Sequence, residues 1–144
     1  MLKLIIIFYF FFLNLFASED YFLTLRNDKV NLRLGPSFNY PIKIIYKKKY
    51  LPLLVKDKSE NFRKIQDHEN NSGWIHISQL SKKKSGITIQ DTILYKRSTV
   101  YSKPLAKIET GRLLLISKCK DEWCKAKTND YKGWVKKESL WGLL

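Results

Sequence analysis

The sequence predicts an all-β chain folded as two tandem copies of one small barrel behind an N-terminal export signal. Three observations predict it. Residues 73–80 (GWIHISQL) and 133–140 (GWVKKESL) place Gly, Trp, a β-branched residue and Leu at identical spacing, 60 residues apart. Apolar residues alternate over short runs bounded by turn formers, which is the strand period. No stretch after the first 18 residues keeps a helical period.

The elements follow in order. Met1, Leu2 and Lys3 give a short start with one positive charge. Leu4–Leu13 is unbroken and apolar, and the run continues past Asn14 to Ala17 before Ser18, Glu19 and Asp20. This order reads as a secretory signal over residues 1–18. Fifteen residues separate Lys3 from Glu19, fewer than the roughly 20 a spanning helix needs. Cleavage after Ala17 or Ser18 is therefore expected, with retention as an anchor the alternative. The first cysteine is Cys119, so none stands at the cleavage site to carry a lipid. The chain is expected to be periplasmic or extracellular.

The first copy is placed at residues 21–81. Val30–Leu34 alternates and ends at Gly35-Pro36. Ile42–Tyr46 is a second strand, and Leu51–Val55 a third whose Pro52 points to an edge. Phe62–Ile65 is a fourth, and Asn70-Asn71-Ser72-Gly73 turns into Trp74–Ile77. Residues 82–86 form a charged linker. The second copy, residues 87–144, repeats the plan with Ile87–Tyr95, Arg112–Ser117, Trp123–Lys127 and Trp134-Val135. Pro41-Ile42-Lys43-Ile44 is matched with Leu105-Ala106-Lys107-Ile108. Domains this small bury only about 60% of their unfolded surface, so docking of the copies is expected, with Trp141, Leu143 and Leu144 as candidates for the seam.

Charge bounds the partners. Lys and Arg number 27 and Asp and Glu 13, a net charge of +14. Such a balance favours acidic partners. Only Arg26, Arg33, Arg63, Arg97 and Arg112 are arginines, whereas readers of phosphates and base edges favour arginine forks. With export removing most nucleic acid from reach, the charge points to an anionic cell-wall polymer or anionic lipid and not to nucleic acid. Lys47–Lys49 and Lys82–Lys84 read as solvated turns, or as a weak contact with anionic membrane. The protein is expected to act as a monomer.

Asn31-Leu32-Arg33, then Gly35-Pro36, Tyr40-Pro41, a strand, Gly73-Trp74-Ile75 and Leu80, together resemble the bacterial SH3-like (SH3b) domain family. The second copy, with Gly133-Trp134-Val135 and the ending Leu140-Trp141-Gly142, is similar to the second unit of exported two-copy proteins of that family. The resemblance runs from about Asp28 to Gly142. It implies two tandem SH3-like β-barrels and a role in envelope binding, often of peptidoglycan or of protein partners. In many members the domain is joined to a wall hydrolase. Two departures stand out: the second copy has Leu94–Thr99 in place of Asn-x-Arg-x-Gly-Pro, and Phe62 stands where a Trp is usual. A groove is therefore expected in one copy at most.

Candidate ligand-binding residues are Phe38, Tyr40, Tyr46, Trp74 and His76. The first three lie in or beside the loop after Gly35-Pro36, which corresponds to the groove-lining loop in domains of this shape. Loop aromatics are less obliged to be core than strand aromatics. For Trp74 and Trp134, packing over one end of the barrel is the competing reading, with the preceding glycine either taking a positive φ or allowing close backbone approach.

Cys119 and Cys124 flank a predicted hairpin, and in an oxidising compartment the pair reads as a disulfide worth roughly 2 kcal/mol for so short a loop. No metal site is expected, because His68 and His76 belong to the other copy. No cofactor is implied. The carboxylates sit around turns, and the second copy has no histidine to serve as a base. The expectation is a non-enzymatic binding module, the alternative being a structural adaptor that docks a larger envelope protein.

Overall fold

The computed structural model describes residues 19–144, and the expected export signal, residues 1–18, lies outside the described residues. The first seven strands are β1 (Tyr21–Leu25), β2 (Val30–Arg33), β3 (Ile42–Tyr46), β4 (Pro52–Ser59), β5 (Phe62–Gln66), β6 (Ser72–His76) and β7 (Leu80–Ser81). The second seven are β8 (Ser85–Thr88), β9 (Thr92–Tyr95), β10 (Pro104–Ile108), β11 (Leu113–Lys120), β12 (Trp123–Thr128), β13 (Tyr131–Lys136) and β14 (Leu140–Trp141). They form two sheets of one topology, β3-β2-β6-β5-β4-β1-β7 and β10-β9-β13-β12-β11-β8-β14. A single 3-10 turn, Ile77–Gln79 in one copy and Lys137–Ser139 in the other, precedes the last strand of each. The chain is all-β with two units of one topology.

Alternation produces the cores. In β2, Val30 and Leu32 are buried while Asn31 and Arg33 are not. In β12, Cys124 and Ala126 are buried between Trp123, Lys125 and Lys127. One cluster gathers Leu25, Leu32, Leu53, Ile65 and Ile75, and a second gathers Leu94, Leu114, Ile116, Ala126 and Val135.

The structure departs from the sequence reading in four places. Ile87–Tyr95 is two strands, because Ile89, Gln90 and Asp91 turn the chain between β8 and β9. The β3 repeat is in step two residues earlier than the sequence match: Leu32 pairs with Ile44, and its counterpart Leu94 with Ala106. Pro52 is not on an edge strand, since β4 pairs with both β1 and β5. It is tolerated as the first residue of its strand, where a missing N–H disrupts least. Finally, Ser85 and Gly86, expected in the linker, begin β8.

The repeated Gly-Trp has a structural cause. A Cβ on Gly73 would lie 2.7 Å from the Arg33 carbonyl oxygen and 2.7 Å from Leu32 Cγ. At Gly133 it would strike the Tyr95 carbonyl oxygen. Both glycines allow β6 and β13 to approach β2 and β9, and neither has a positive φ. Gly73→Ala is expected to cost about 1–3 kcal/mol by overpacking, read as a lower denaturation midpoint. An unchanged midpoint would mean that β2 can shift freely.

The copies are joined through β8, all four residues of which are buried. Gly86 faces Leu140 of its own copy, and Ile87 belongs to the core cluster of the first copy. The Ser85 hydroxyl donates to the Tyr50 carbonyl, and Thr24 Oγ1 donates to the Lys83 carbonyl at 2.8 Å. Trp141 stacks edge-on against Phe22, 4.9 Å between ring centres. Leu143 packs on the second core and Leu144 is exposed.

Candidate functional site

The site is built on the outward positions of β2, β5 and β6 plus the loop from Leu34 to Pro41. Register sets Phe62 opposite His76, so both project from one face. The loop delivers Phe38 onto them. Its ring centre is 5.2 Å from that of Phe62 and 5.1 Å from that of His76, and Phe62 and His76 are 5.1 Å apart. Phe38 is nonetheless 64% exposed, which is costly for an aromatic with nothing to cover it. The three rings floor a groove of about 210 Å³ whose walls add Lys29, Asn31, Arg33 and Gln79.

Arg33 holds the loop in place. Its Nη1 donates to the carbonyls of Phe38 (3.1 Å) and Tyr40 (2.9 Å), and its guanidinium carbon lies 5.4 Å from the centre of the Phe38 ring. His76 is held by the 3-10 turn it caps: its Nδ1 accepts the Ser78 amide at 3.2 Å and lies 2.7 Å from the Ser78 hydroxyl. A backbone N–H can only donate, so the neutral ring carries its proton on Nε2. That leaves the His76 Nε2–H as a donor alongside those of the groove walls. Asn31 lines the groove while its Oδ1 is buried beneath the surface with no hydrogen-bond partner among the described residues.

The five candidate residues separate. Phe38 and His76 meet in the groove. Tyr40 lies beside it, its ring packed on Gly35 where a Cβ would stand. Trp74 projects from the same face of β6 as His76, but opposite Arg33 and Lys64 and outside the groove lining. Tyr46 is a core residue instead, 9% exposed. Its hydroxyl donates to Asp67 Oδ2 at 2.8 Å. Burial and the adjoining Asp67 carboxylate push the Tyr46 hydroxyl far above its ordinary value, so it stays protonated. Sequence reasoning missed Arg33 and Phe62 as groove residues. The signal for Phe62 was available, since it occupies the place of Trp123 in the repeat and alternates outward with Lys64.

The second copy keeps the loop but not the groove. Lys96, Thr99 and Ser102 donate backbone hydrogen bonds to Lys103, Arg97 and Thr99, as Leu34, Ser37 and Tyr40 donate to Pro41, Gly35 and Ser37. The loop shape therefore survives without Gly-Pro. Tyr95 takes the place of Arg33 and stacks edge-on against Trp123 at 5.7 Å, and Val100 takes the place of Phe38. The expected cysteine pair is joined: Cys119 and Cys124 face each other across β11 and β12 in a disulfide. Among the described residues no three His, Cys, Asp or Glu side chains gather as a metal site would require.

Comparison with curated proteins finds none that matches. Among solved structures, the chain is similar to NlpC2 from Trichomonas vaginalis at 11% identity and a TM-score of 0.40, over 85% of this chain and 48% of that one. NlpC1 from Trichomonas vaginalis gives 13% identity and a TM-score of 0.39, over 86% of this chain and 48% of that one. The chain thus spans about half the length of each. The bacterial SH3 domain family matches twice, over residues 26–82 and 92–142, one match per copy. With both copies matched and both folded on one topology, the chain belongs to the bacterial SH3 domain family.

Proposed function

We propose that this protein is an exported, non-catalytic binding module of the cell envelope whose first copy takes a short extended peptide, such as the peptide portion of peptidoglycan. Bacterial SH3 domains are typically cell-wall binding modules, and the disulfide is consistent with export. The observation that carries the reading is the open aromatic groove of Phe38, Phe62 and His76. Its polar groups suit a peptide: the His76 Nε2–H can donate to a carbonyl, and Lys29 and Arg33 offer charge to a carboxylate. Apolar side chains would lie on the rings.

Phe38→Ala and His76→Ala are expected to weaken binding to insoluble peptidoglycan by about tenfold each at physiological salt, a loss typical of groove anchors. Phe38 is exposed, so the fold should not suffer. Binding that disappears with salt, or ignores both substitutions, would leave only lysine attraction. First place would then pass to an adaptor that docks a larger envelope protein.

A further inference from the structure

The two copies share a scaffold but not a surface. On β11, β12 and β13, Ile116, Cys124, Ala126, Gly133 and Val135 are buried, so the intervening positions face outward. Strand register arranges these in three rows: Leu115–Lys127–Lys132, Lys118–Lys125–Trp134 and Lys120–Trp123–Lys136. The matching rows of the first copy are Leu54–Gln66–Ser72, Asp57–Lys64–Trp74 and Ser59–Phe62–His76. Six lysines, Lys118, Lys120, Lys125, Lys127, Lys132 and Lys136, stand where the first copy has Asp57, Ser59, Lys64, Gln66, Ser72 and His76.

These lysines are uncompensated. Of these six lysines, only Lys136 has an ion pair among the described residues, with Glu138 at 4.0 Å. Asp121, Glu122 and Asp130 lie at the hairpin tips and not within the rows. Lys118 lies directly opposite Lys125, and Lys127 opposite Lys132. Like charges placed opposite each other across strands destabilise a sheet, so the face works against folding unless a partner neutralises it. Lys83 extends it, lining a groove of about 230 Å³ with Lys125, Lys127 and Lys132. The Lys118 ammonium sits 5.7 Å from the centre of the Trp134 ring, so cation and aromatic surface are side by side.

We infer that the outer face of β11–β13 is a second binding surface, and that it takes an anionic polysaccharide. Spread point charges fit a polymer with repeated acidic groups, where a single phosphate would call for an arginine fork. Trp123 and Trp134 among the lysines suit the faces of sugar rings. A lipid bilayer fits less well, because Trp123 and Trp134 are half-buried among the lysines and offer ring surface without a freely exposed apolar side chain to insert. This site is separate from the groove of the first copy and does not depend on it.

The test is binding of the purified protein to polygalacturonate, a carboxylated sugar polymer, at physiological salt. The triple substitution K125Q/K127Q/K132Q is expected to lower affinity by about tenfold. The charge-matched K47Q/K48Q/K49Q, in an exposed turn of the first copy, should change it less than about twofold. The first triple variant should melt no lower than the parent, because it relieves repulsion. Poly-glutamate, with the charge but not the sugar, should bind more weakly than polygalacturonate. Equal losses in the two variants would overturn the proposal in favour of net charge alone. Equal binding of the two polymers would overturn the saccharide assignment. Tight binding to phosphatidylglycerol vesicles without binding to polygalacturonate would assign the face to a membrane instead.

Discussion

Asp67→Ala is expected to destabilise the protein by about 3 kcal/mol, because it strands the buried Tyr46 hydroxyl and several half-buried amide donors at once. Asp67 is 3% exposed at the β5–β6 turn. Its Oδ1 accepts the backbone N–H groups of Glu69 and Asn71, each at 2.9 Å, and its Oδ2 accepts the Tyr46 hydroxyl and Asn71 Nδ2. One carboxylate thus closes the turn and pins it to β3. Burial alone would raise its pKa, but the hydrogen bonds from Asn71, Tyr46 and the backbone outweigh burial and hold it below the ordinary 3.8. A carboxyl depressed in the folded state contributes fully above its unfolded value and loses that contribution as pH falls through the folded one. Stability should therefore be level above about pH 5 and fall below about pH 4. Asp67→Asn, which keeps the shape, should lose part of this acid dependence. Urea midpoints across pH 2–7 measure both effects, and parallel curves for parent and Asp67→Asn would remove Asp67 from the account.

Ile87→Ala should cost about 2–5 kcal/mol, the usual range for a buried Ile truncation, and the loss should fall on the copy to which Ile87 does not belong in sequence. Ile87 is 2% exposed in β8 of the second copy, yet it packs in the core cluster of the first, with Leu113 against the same cluster. The copies should accordingly unfold in one transition. Hydrogen exchange supplies the local readout: amides of Leu53 and Val55 in β4 should lose protection in the variant. Two separate melting transitions in the parent protein, or unchanged exchange in β4, would show that the copies fold independently.

Much of the fold was legible because its signals are local. Val30–Leu34 declares a strand by alternation and Gly35-Pro36 ends it, while the Gly-Trp pairs expose the duplication. Cys119 and Cys124 could be paired because they are the only two cysteines of a chain read as exported and flank one predicted hairpin. Other features were hidden because they depend on partners distant in the chain. Nothing in Ile87–Tyr95 marks the turn at Ile89–Asp91, and nothing in Ser85-Gly86 distinguishes a buried strand from a charged linker. Tyr46 reads as a loop-side aromatic until Asp67, 21 residues away, accepts its hydroxyl. Arg33 reads as part of a motif until its guanidinium meets the carbonyls of Phe38 and Tyr40.

The sequence by itself determined that the chain is β, that it is duplicated and that it is strongly basic, because periodicity, repetition and charge are properties of the residues alone. Tertiary structure decided which aromatics are core and which form a groove, why Gly73 and Gly133 must lack a side chain, and where the lysines of the second copy gather. The physical reason is register. Whether a residue faces water, a neighbour's carbonyl or another lysine depends on the strand beside it, and strands such as β2 and β6 lie dozens of residues apart in the chain.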